Sequence, residues 1–289
     1  MRRRDFIRGA AALAPTALTA GAAGRSARAS GGGGLEPVDL ELVLAVDASS
    51  SINADEMELQ LRGYAAAFRS APLIRQVASG PVGAIACTLF TWADPDHQQV
   101  LVPWMRIDGA GAAEGFAAAV DAAPRVTGLY TSISAAIDFA ANLFGRGGFE
   151  GSRRVVDISG DGVDNAARPG RLLAHARDEA LDRGIVLNGL AILDSEPSAP
   201  PPPVLGSRHA GRAPLDEYYR DVVIGGPGCF LVVAEGFEAF GPAVRRKLAR
   251  EIACAPPPAG EQPAERFAAS GRRRRPLPAE DGKEAPWPT

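Results

Sequence analysis

Hydrophobic and polar positions follow two different periods along residues 38–254, and their alternation predicts strands separated by helices. Residues 40–46 form a nearly continuous apolar run, which is typical of a buried strand in a parallel sheet. The next segment has apolar side chains at intervals of three and four residues, as one helix face requires: Met57, Leu61, Tyr64 and Phe68. Asn53 or Asp55 can cap this helix at its N-terminus.

Both patterns recur through the rest of this segment. Further strands are predicted at residues 82–90, 98–102, 154–158, 185–193 and 229–233. Further helices are predicted at residues 116–122, 132–144, 171–183, 215–220 and 237–252. The strand at 98–102 is expected to pair antiparallel with the strand before it, near an edge. Strands alternating with helices favour an α/β fold of three layers, with helices on both faces of a mainly parallel central sheet.

The first 29 residues have the composition of an export signal. An arginine-rich start precedes a weakly apolar, alanine-rich run and a small-residue cleavage site at Ala27-Arg28-Ala29. The apolar run is too short and too rich in alanine for a stable membrane span. Residues 3–8 read Arg-Arg-Asp-Phe-Ile-Arg and resemble a twin-arginine signal. We therefore expect export to the periplasm or beyond the cell, with no transmembrane span after the signal is cleaved.

Low-complexity segments set the limits of the folded part. Residues 30–37 form a glycine-rich lead-in, and residues 195–214 form a proline-rich insert that reads as a surface loop. Residues 255–289 are rich in proline and arginine and contain few large aliphatic side chains, so we expect a disordered tail. The remainder is one domain, residues 38–254, which contains the insert.

Charge and cysteine content narrow the function further. Removal of residues 1–29 takes away six arginines and one aspartate, which changes the formal net charge from −3 to −8. An acidic chain is a poor candidate for binding nucleic acid or anionic lipid. Three cysteines without a Cys-x-x-Cys pair exclude a disulfide scaffold and a cysteine zinc site. Cys87 is expected to be a buried thiol, and whether Cys229 pairs with Cys254 is left open.

Oxygen-bearing side chains stand at three junctions between predicted strands and helices. They are Asp47, Ser49 and Ser51 after the first strand, Thr131 before the helix at 132–144, and Asp161 after the strand at 154–158. The carboxyl ends of parallel strands meet at one edge of a sheet, where ligands usually bind. Carboxylate and hydroxyl oxygens are hard donors that suit Mg²⁺ or Mn²⁺. The five side chains are therefore candidate ligands of one cation.

The order and spacing of these residues resemble the metal-ion-dependent adhesion site (MIDAS) of von Willebrand factor type A domains. Through residues 157–162 and 225–228 the chain is also similar to an uncharacterised family of exported bacterial proteins that contain this domain. The resemblance covers roughly residues 38–252 and implies a Rossmann-like fold of three layers. It further implies an interaction module, not an enzyme, which binds a protein partner through Mg²⁺, with Mn²⁺ or Ca²⁺ as other possible ions.

The resemblance also implies a role for each ligand. Ser49 and Ser51 would coordinate the cation directly, and Asp47 and Asp161 would hold it largely through bound waters. Thr131 would coordinate it directly or through water, and an Asp or Glu carboxylate of the partner would take a remaining position.

Two segments depart from the pattern of the type A domains. Gly128-Leu129-Tyr130 precedes Thr131 where those domains usually have a tighter glycine pair, and Gly160 stands where they usually have threonine. Asp157 is a nearby alternative carboxylate.

Two other functions remain open on the sequence alone. A metal-dependent hydrolase would need a base beside the metal, for which Asp157 and Asp164 are the candidates. A scaffold with a vestigial metal site would keep the fold and lose the cation. Other enzyme classes are disfavoured, because the chain lacks Asp-x-Asp after the first strand, a Gly-x-Ser-x-Gly elbow and a Gly-x-x-x-x-Gly-Lys loop.

Overall fold

A mixed sheet of seven strands forms the centre of the protein, which a computed structural model describes over residues 34–193, 214–253 and 265–268. The strands in these ranges are β1 (Glu36–Val38), β2 (Leu40–Asp47), β3 (Ile85–Trp92), β4 (Gln98–Ile107), β5 (Phe149–Gly151), β6 (Arg154–Gly160), β7 (Ile185–Leu193), β8 (Leu231–Glu235) and β9 (Glu265–Ala268). The central sheet has the order β4-β3-β2-β6-β7-β8-β9, and β1 pairs with β5 separately. Only β3 and β4 pair antiparallel in the central sheet, which confirms the predicted edge strand.

Helices cover both faces of the central sheet. They are α1 (Ala54–Phe68), α2 (Ala71–Ala78), α3 (Ala110–Asp121), α4 (Ile133–Leu143), α5 (Leu173–Asp182), α6 (Leu215–Tyr218) and α7 (Phe240–Ile252). Leu42 and Val43 of β2 point to opposite faces and belong to two separate cores, the first shared with α1, α2, α3 and α7 and the second with α4 and α5. The predicted three-layer α/β fold is confirmed. Among the described residues, no helix is long and apolar enough to span a bilayer.

Strand β2 is an inner strand of the sheet and is buried along its whole length, as its apolar run predicts. The next strand in the chain, β3, pairs with one side of β2, and β6 pairs with the other side. In open parallel sheets, ligand-binding crevices form beyond the carboxyl ends of the strands where the order reverses in this way. The pairing of Val46 with Ser159 brings the last residue of β2, Asp47, beside the last residue of β6, Gly160.

Asn53, and not Asp55, caps helix α1. The Asn53 Oδ1 atom accepts hydrogen bonds from the backbone N–H groups of Asp55 and Glu56 at 2.9 and 3.0 Å. The Glu56 carboxylate accepts from the backbone N–H of Asn53 at 2.9 Å, which completes a capping box. The box fixes where α1 begins, and so it also fixes the short turn that connects Asp47 to the helix.

Short elements account for the differences from the predicted fold. Helix α2 was not predicted, although its two buried residues, Leu73 and Val77, have the four-residue spacing of a helix face; at eight residues it shows that spacing only once. Glu36 and Pro37 belong to β1 and not to the predicted lead-in. Residues Glu265–Ala268 form β9 beside β8, so the prediction of a disordered tail over residues 255–289 was wrong at these four positions.

Several predicted features lie outside the described residues. They are the export signal at residues 1–29, nearly all of the insert at 195–214, and Cys254. The export signal, the insert and the Cys229–Cys254 question therefore stay predictions. Cys87 is completely buried, as expected.

A cluster of ionisable side chains is buried between β6 and α7. The Lys247 Nζ atom lies 2.6 Å from Asp157 Oδ1 and 2.6 Å from Glu251 Oε1. Asn188 donates to the same Glu251 oxygen at 3.0 Å. Asp157 therefore forms an ion pair with Lys247 of α7. The interpretation of Asp157 as an alternative carboxylate for the cation site was wrong.

Burial raises the pKa of Glu251 to about 7; Lys247 acts in the opposite direction, and the nearby Asp157 adds to the rise. The folded chain thus holds a proton that the unfolded chain releases above a pKa of 4.5. The stabilising contribution is complete below pH 4.5 and is lost as the pH rises through about 7.

We therefore expect Glu251→Gln to make stability less dependent on pH. The neutral amide still offers an oxygen to Lys247 and Asn188, but it releases no proton. Urea denaturation at pH 5 and pH 8 in the presence of chelator should show a smaller fall in the free energy of unfolding for the variant than for the unmodified chain. An equal fall in the two proteins would contradict this account of the cluster.

Candidate metal centre

Three segments of the chain meet at the carboxyl ends of β2 and β6. Asp47 ends β2, and Ser49 and Ser51 lie in the turn that leads to α1. Asp161 follows the last residue of β6, and Thr131 lies two residues before the start of α4. The sheet therefore brings together residues that are up to 114 positions apart in the chain, as the predicted parallel sheet requires.

Hydrogen bonds join four of the five predicted ligands into one set. The backbone N–H of Ser49 donates to Asp47 Oδ1 at 2.8 Å, and the Oγ atoms of Ser49 and Ser51 are 3.1 Å apart. The Ser51 hydroxyl donates to Asp161 Oδ1 at 2.8 Å. Two carboxylates and two hydroxyls therefore converge on one small region beyond the sheet.

Thr131 joins the same region from the third segment. Its backbone N–H donates to Asn165 Oδ1 at 2.9 Å, and the backbone N–H of Asn165 donates to the Thr131 carbonyl at 2.8 Å. A Cβ atom on Gly162 would lie 3.4 Å from Thr131 Oγ1, so the Thr131 hydroxyl faces the turn that carries Asp161. The structure thus brings all five predicted residues together.

The Asp47 carboxylate is the least compensated charge in this region. It is completely buried, and its Oδ2 atom has no hydrogen-bond partner among the described residues. Burial raises the pKa of Asp47 to about 8, and the negative charge of Asp161 adds to the rise, while hydrogen bonds from Ser49 and from the Asp161 backbone oppose it. A buried carboxylate with one unbonded oxygen, beside a second carboxylate and two hydroxyls, fits a divalent cation.

Gly160 leaves open a space that the side chains of Tyr219, Asp47 and Trp92 border. A Cβ atom at this position would lie 2.5 Å from the Tyr219 hydroxyl and 2.8 Å from Asp47 Oδ2. Tyr219 is completely buried, and its hydroxyl also lacks a hydrogen-bond partner within the described ranges. Burial raises the pKa of Tyr219 well above its usual value, and the negative charge of Asp47 adds to this, so the phenol stays protonated.

The segment before Thr131 is held firmly but ends in exposed apolar side chains. The Gly128 N–H donates to the Ala48 carbonyl at 2.7 Å, and the Ser50 hydroxyl donates to the Leu129 carbonyl at 2.7 Å. A Cβ atom on Gly128 would lie 2.4 Å from that of Ala93, so this close approach requires glycine. Leu129 and Tyr130 are nevertheless 70% and 56% exposed beside the cluster.

Residues that support the cluster were missed by the sequence analysis. Gln60 donates to the Asp47 carbonyl at 3.3 Å, and its place on the apolar face of α1 was a signal that could have identified it. Asp94, which accepts from the Leu129 N–H at 2.8 Å, and Asn165 and Tyr219 gave no local signal. Asp164, which the sequence analysis named as a candidate base, contacts the first turn of α4, where its Oδ1 accepts from the N–H and hydroxyl of Ser134 at 3.1 and 3.3 Å.

Hydroxyl groups make up more than half of the candidate donors in this cluster. Within the part of the chain that the structure describes, no group of three His, Cys, Asp or Glu side chains is arranged to hold a metal. The cluster has only two carboxylates, and its other donors are hydroxyls.

Comparisons with known proteins identify a family and a fold. A family model described as "Protein of unknown function (DUF1194)" matches residues 37–256. No curated protein matches the sequence.

Solved structures with the same fold are distant in sequence. Proximal thread matrix protein 1 from the mussel byssus, in a structure described as having a zinc-occupied MIDAS motif, matches with a TM-score of 0.52 and 15% identity over 76% of this chain and 49% of the mussel chain. A von Willebrand factor type A protein from Catenulispora acidiphila matches with a TM-score of 0.50 and 12% identity over 75% and 43% of the two chains.

The pilus adhesin SpaC from Lactobacillus rhamnosus GG also matches, with a TM-score of 0.50 and 14% identity over 75% of this chain and 31% of the adhesin. The chain spans about half the length of the mussel protein. At these identities the likeness establishes the fold alone, and that fold is the von Willebrand factor type A fold that the sequence resembles.

The uncompensated charge of Asp47 leads to a prediction about the metal-free protein. Its pKa is about 8 in the folded chain and 3.8 when unfolded, so its stabilising contribution is present below pH 3.8 and lost as the pH rises through about 8. Asp47→Asn carries no such charge and should be more stable than the unmodified chain at pH 9 in chelator, by at least about 1 kcal/mol. Denaturant titration measures the difference.

The matched control for this measurement is Asp55→Asn, which changes an exposed carboxylate and should give no comparable gain. A lower free energy of unfolding for Asp47→Asn than for the unmodified chain at pH 9 would show that the buried charge of Asp47 does not destabilise the fold.

Proposed function

The chain belongs to the DUF1194 family of proteins of unknown function, and we propose that it is an interaction module that binds a divalent cation. The observation that carries the proposal is the unbonded, completely buried Oδ2 atom of Asp47 amid oxygen donors. The von Willebrand factor type A fold supports the first part of the proposal, that the chain is a protein-interaction domain.

The cation would be held by the residues of the cluster. Ser49 and Ser51 would bind it directly, Asp47 and Asp161 largely through water, and Thr131 directly or through water. Mg²⁺ fits this set of hard oxygen donors, with Mn²⁺ and Ca²⁺ as the ions of nearest chemistry. The mussel structure with a zinc-occupied MIDAS motif supports metal binding by this type of domain.

The partner would supply an Asp or Glu carboxylate to the cation. A metal that few protein carboxylates contact directly keeps its attraction for a further anionic ligand, which gives an acidic partner side chain a place to bind. Leu129 and Tyr130 are exposed beside the cluster on a firmly held backbone. They would add apolar contact at little cost in conformational entropy, as aromatic and aliphatic side chains do in the centres of interfaces.

The site would act outside the cytoplasm. Residues 1–29 support export through their arginine-rich start, apolar run and small-residue cleavage site, and residues 3–8 support the twin-arginine route. We propose a periplasmic or secreted location on this basis.

A hydrolase finds less support in the site. Asp157 is paired with Lys247 in the core, and Asp164 accepts hydrogen bonds at the start of α4. Both candidate bases are thus engaged in structural contacts, and the interaction module remains the function that the geometry favours.

Binding of Mg²⁺ should stabilise the folded chain. A ligand that binds only the folded state adds about 2.7 kcal/mol at one hundred times its Kd, which corresponds to a rise of several degrees in Tm. Thermal unfolding with Mg²⁺ and with chelator should show this rise for the unmodified chain and not for Asp47→Ala or Ser51→Ala.

Ser50→Ala is the matched control, because the Ser50 hydroxyl lies between the two serines in sequence but donates to the Leu129 carbonyl. It should keep the rise. The proposed cation site fails if neither Mg²⁺ nor Mn²⁺ raises the Tm of the unmodified chain, or if Asp47→Ala shows an equal rise.

Partner binding should depend on the cation. The full chain, immobilised and exposed to an envelope extract, should retain a partner in Mg²⁺ and release it in chelator, and Asp47→Ala should retain none. Leu129→Ser should weaken retention while leaving the Mg²⁺-dependent rise in Tm intact, because it removes apolar contact without a ligand. Partners retained equally with and without chelator would indicate a scaffold with a vestigial site.

A further inference from the structure

Tyr219 reaches the candidate metal centre from a distant part of the chain. It begins a π-helical turn, Tyr219–Val223, directly after α6, and its side chain is completely buried. Turns of this type are rare in α-helices and frequently occur at functional sites. The Tyr219 ring passes over Gly189 of β7, and its hydroxyl reaches Gly160 at the end of β6.

Two glycines provide the space that this side chain fills. A Cβ atom on Gly189 would lie 3.2 Å from the Tyr219 ring and closer still to Leu231 and Ile224, and one on Gly160 would lie 2.5 Å from the hydroxyl. Both glycines lie within strands, where the backbone conformation does not demand glycine. These positions need glycine for the space that it leaves and not for its backbone conformation. The two glycines therefore allow Tyr219 to lie across the sheet.

The Tyr219 hydroxyl, a hydrogen-bond donor, lies near the Asp47 Oδ2 atom, a hydrogen-bond acceptor. Tyr219 OH and Asp47 Oδ2 border the same point above Gly160, at 2.5 and 2.8 Å from it. Each is buried and without a hydrogen-bond partner among the described residues, while Asp47 Oδ1 is already bonded to the Ser49 N–H. A phenol can donate the hydrogen bond that this carboxylate oxygen lacks.

We propose that Tyr219 is a positioning residue of the metal centre: its hydroxyl and Asp47 Oδ2 are not bonded in the structure, and on cation binding the hydroxyl donates to that oxygen and orients the carboxylate. This inference rests on the cation site proposed above. Phenylalanine would fill the apolar part of the space equally well without burying a hydroxyl, so the hydroxyl itself needs a role. The neighbouring Tyr218 has another one, because its hydroxyl accepts from the Asp164 N–H at 3.1 Å.

The test compares Mg²⁺ affinity in the full chain and in two tyrosine variants. Tyr219→Phe should bind Mg²⁺ about tenfold more weakly in calorimetric titration, the loss expected for one hydrogen bond to a charged group. Tyr64→Phe is the matched control, because it also removes a completely buried tyrosine hydroxyl, but one that donates to Ser159 at 3.5 Å and not to Asp47. The control should keep the Mg²⁺ affinity of the unmodified chain within about twofold, whatever its Tm.

The remaining outcomes also decide between the two proposals. If the unmodified chain binds neither Mg²⁺ nor Mn²⁺, the cation site itself is wrong. If it binds Mg²⁺ and folded Tyr219→Phe binds within about twofold of it, or if Tyr64→Phe loses as much, only the role of Tyr219 is overturned. Should Tyr219→Phe not fold, the ¹³Cζ resonance of Tyr219 in the unmodified chain must shift at saturating Mg²⁺, and an unchanged resonance would overturn the proposal.

Discussion

The carboxylate of Asp47, buried at the end of the inner strand β2, is the group on which the arrangement of this edge of the sheet depends. Asp47 is completely enclosed, accepts a hydrogen bond from Ser49 on one oxygen and has none on the other within the described residues. The protein alone therefore supports its charge poorly, as its raised pKa shows. The serine turn, Asp161 and the Tyr219 hydroxyl all approach this carboxylate. The loops around it are therefore arranged about one buried, poorly solvated group.

The second buried charge cluster makes the first one easier to interpret. Asp157 and Glu251 also lie in the interior, but Lys247 lies 2.6 Å from both and joins α7 to the sheet. There, the chain supplies one cation of its own for two carboxylates, and the raised pKa of Glu251 shows that the lysine offsets their burial only in part. At Asp47 it supplies hydroxyls and a second carboxylate instead. A completely buried Asp47 Oδ2 atom without a hydrogen-bond partner among the described residues, located where ligands bind in such sheets, is the physical case for an external cation.

The fold determines where the candidate site lies, but the residues around the site are those of this chain. The structural relatives are only 12 to 15% identical to it. Its own features lie in what surrounds the five ligands. Gly128 allows a close approach to Ala93 that holds the segment before Thr131, and this segment exposes Leu129 and Tyr130. Gly160 leaves room for Tyr219. These features distinguish the surroundings of the candidate site in this chain.

The sequence by itself determined the alternation of strands and helices, the edge position of β4, and the five candidate oxygen donors, because hydrophobic period and side-chain chemistry are local properties. It did not determine β9, the pairing of Asp157 with Lys247, or the approach of Tyr219 to Asp47. Each of these joins segments whose adjacency depends on strand order and on the space left by glycines on neighbouring strands. A four-residue strand or a single tyrosine carries no period of its own, so only the tertiary structure could decide where such residues lie.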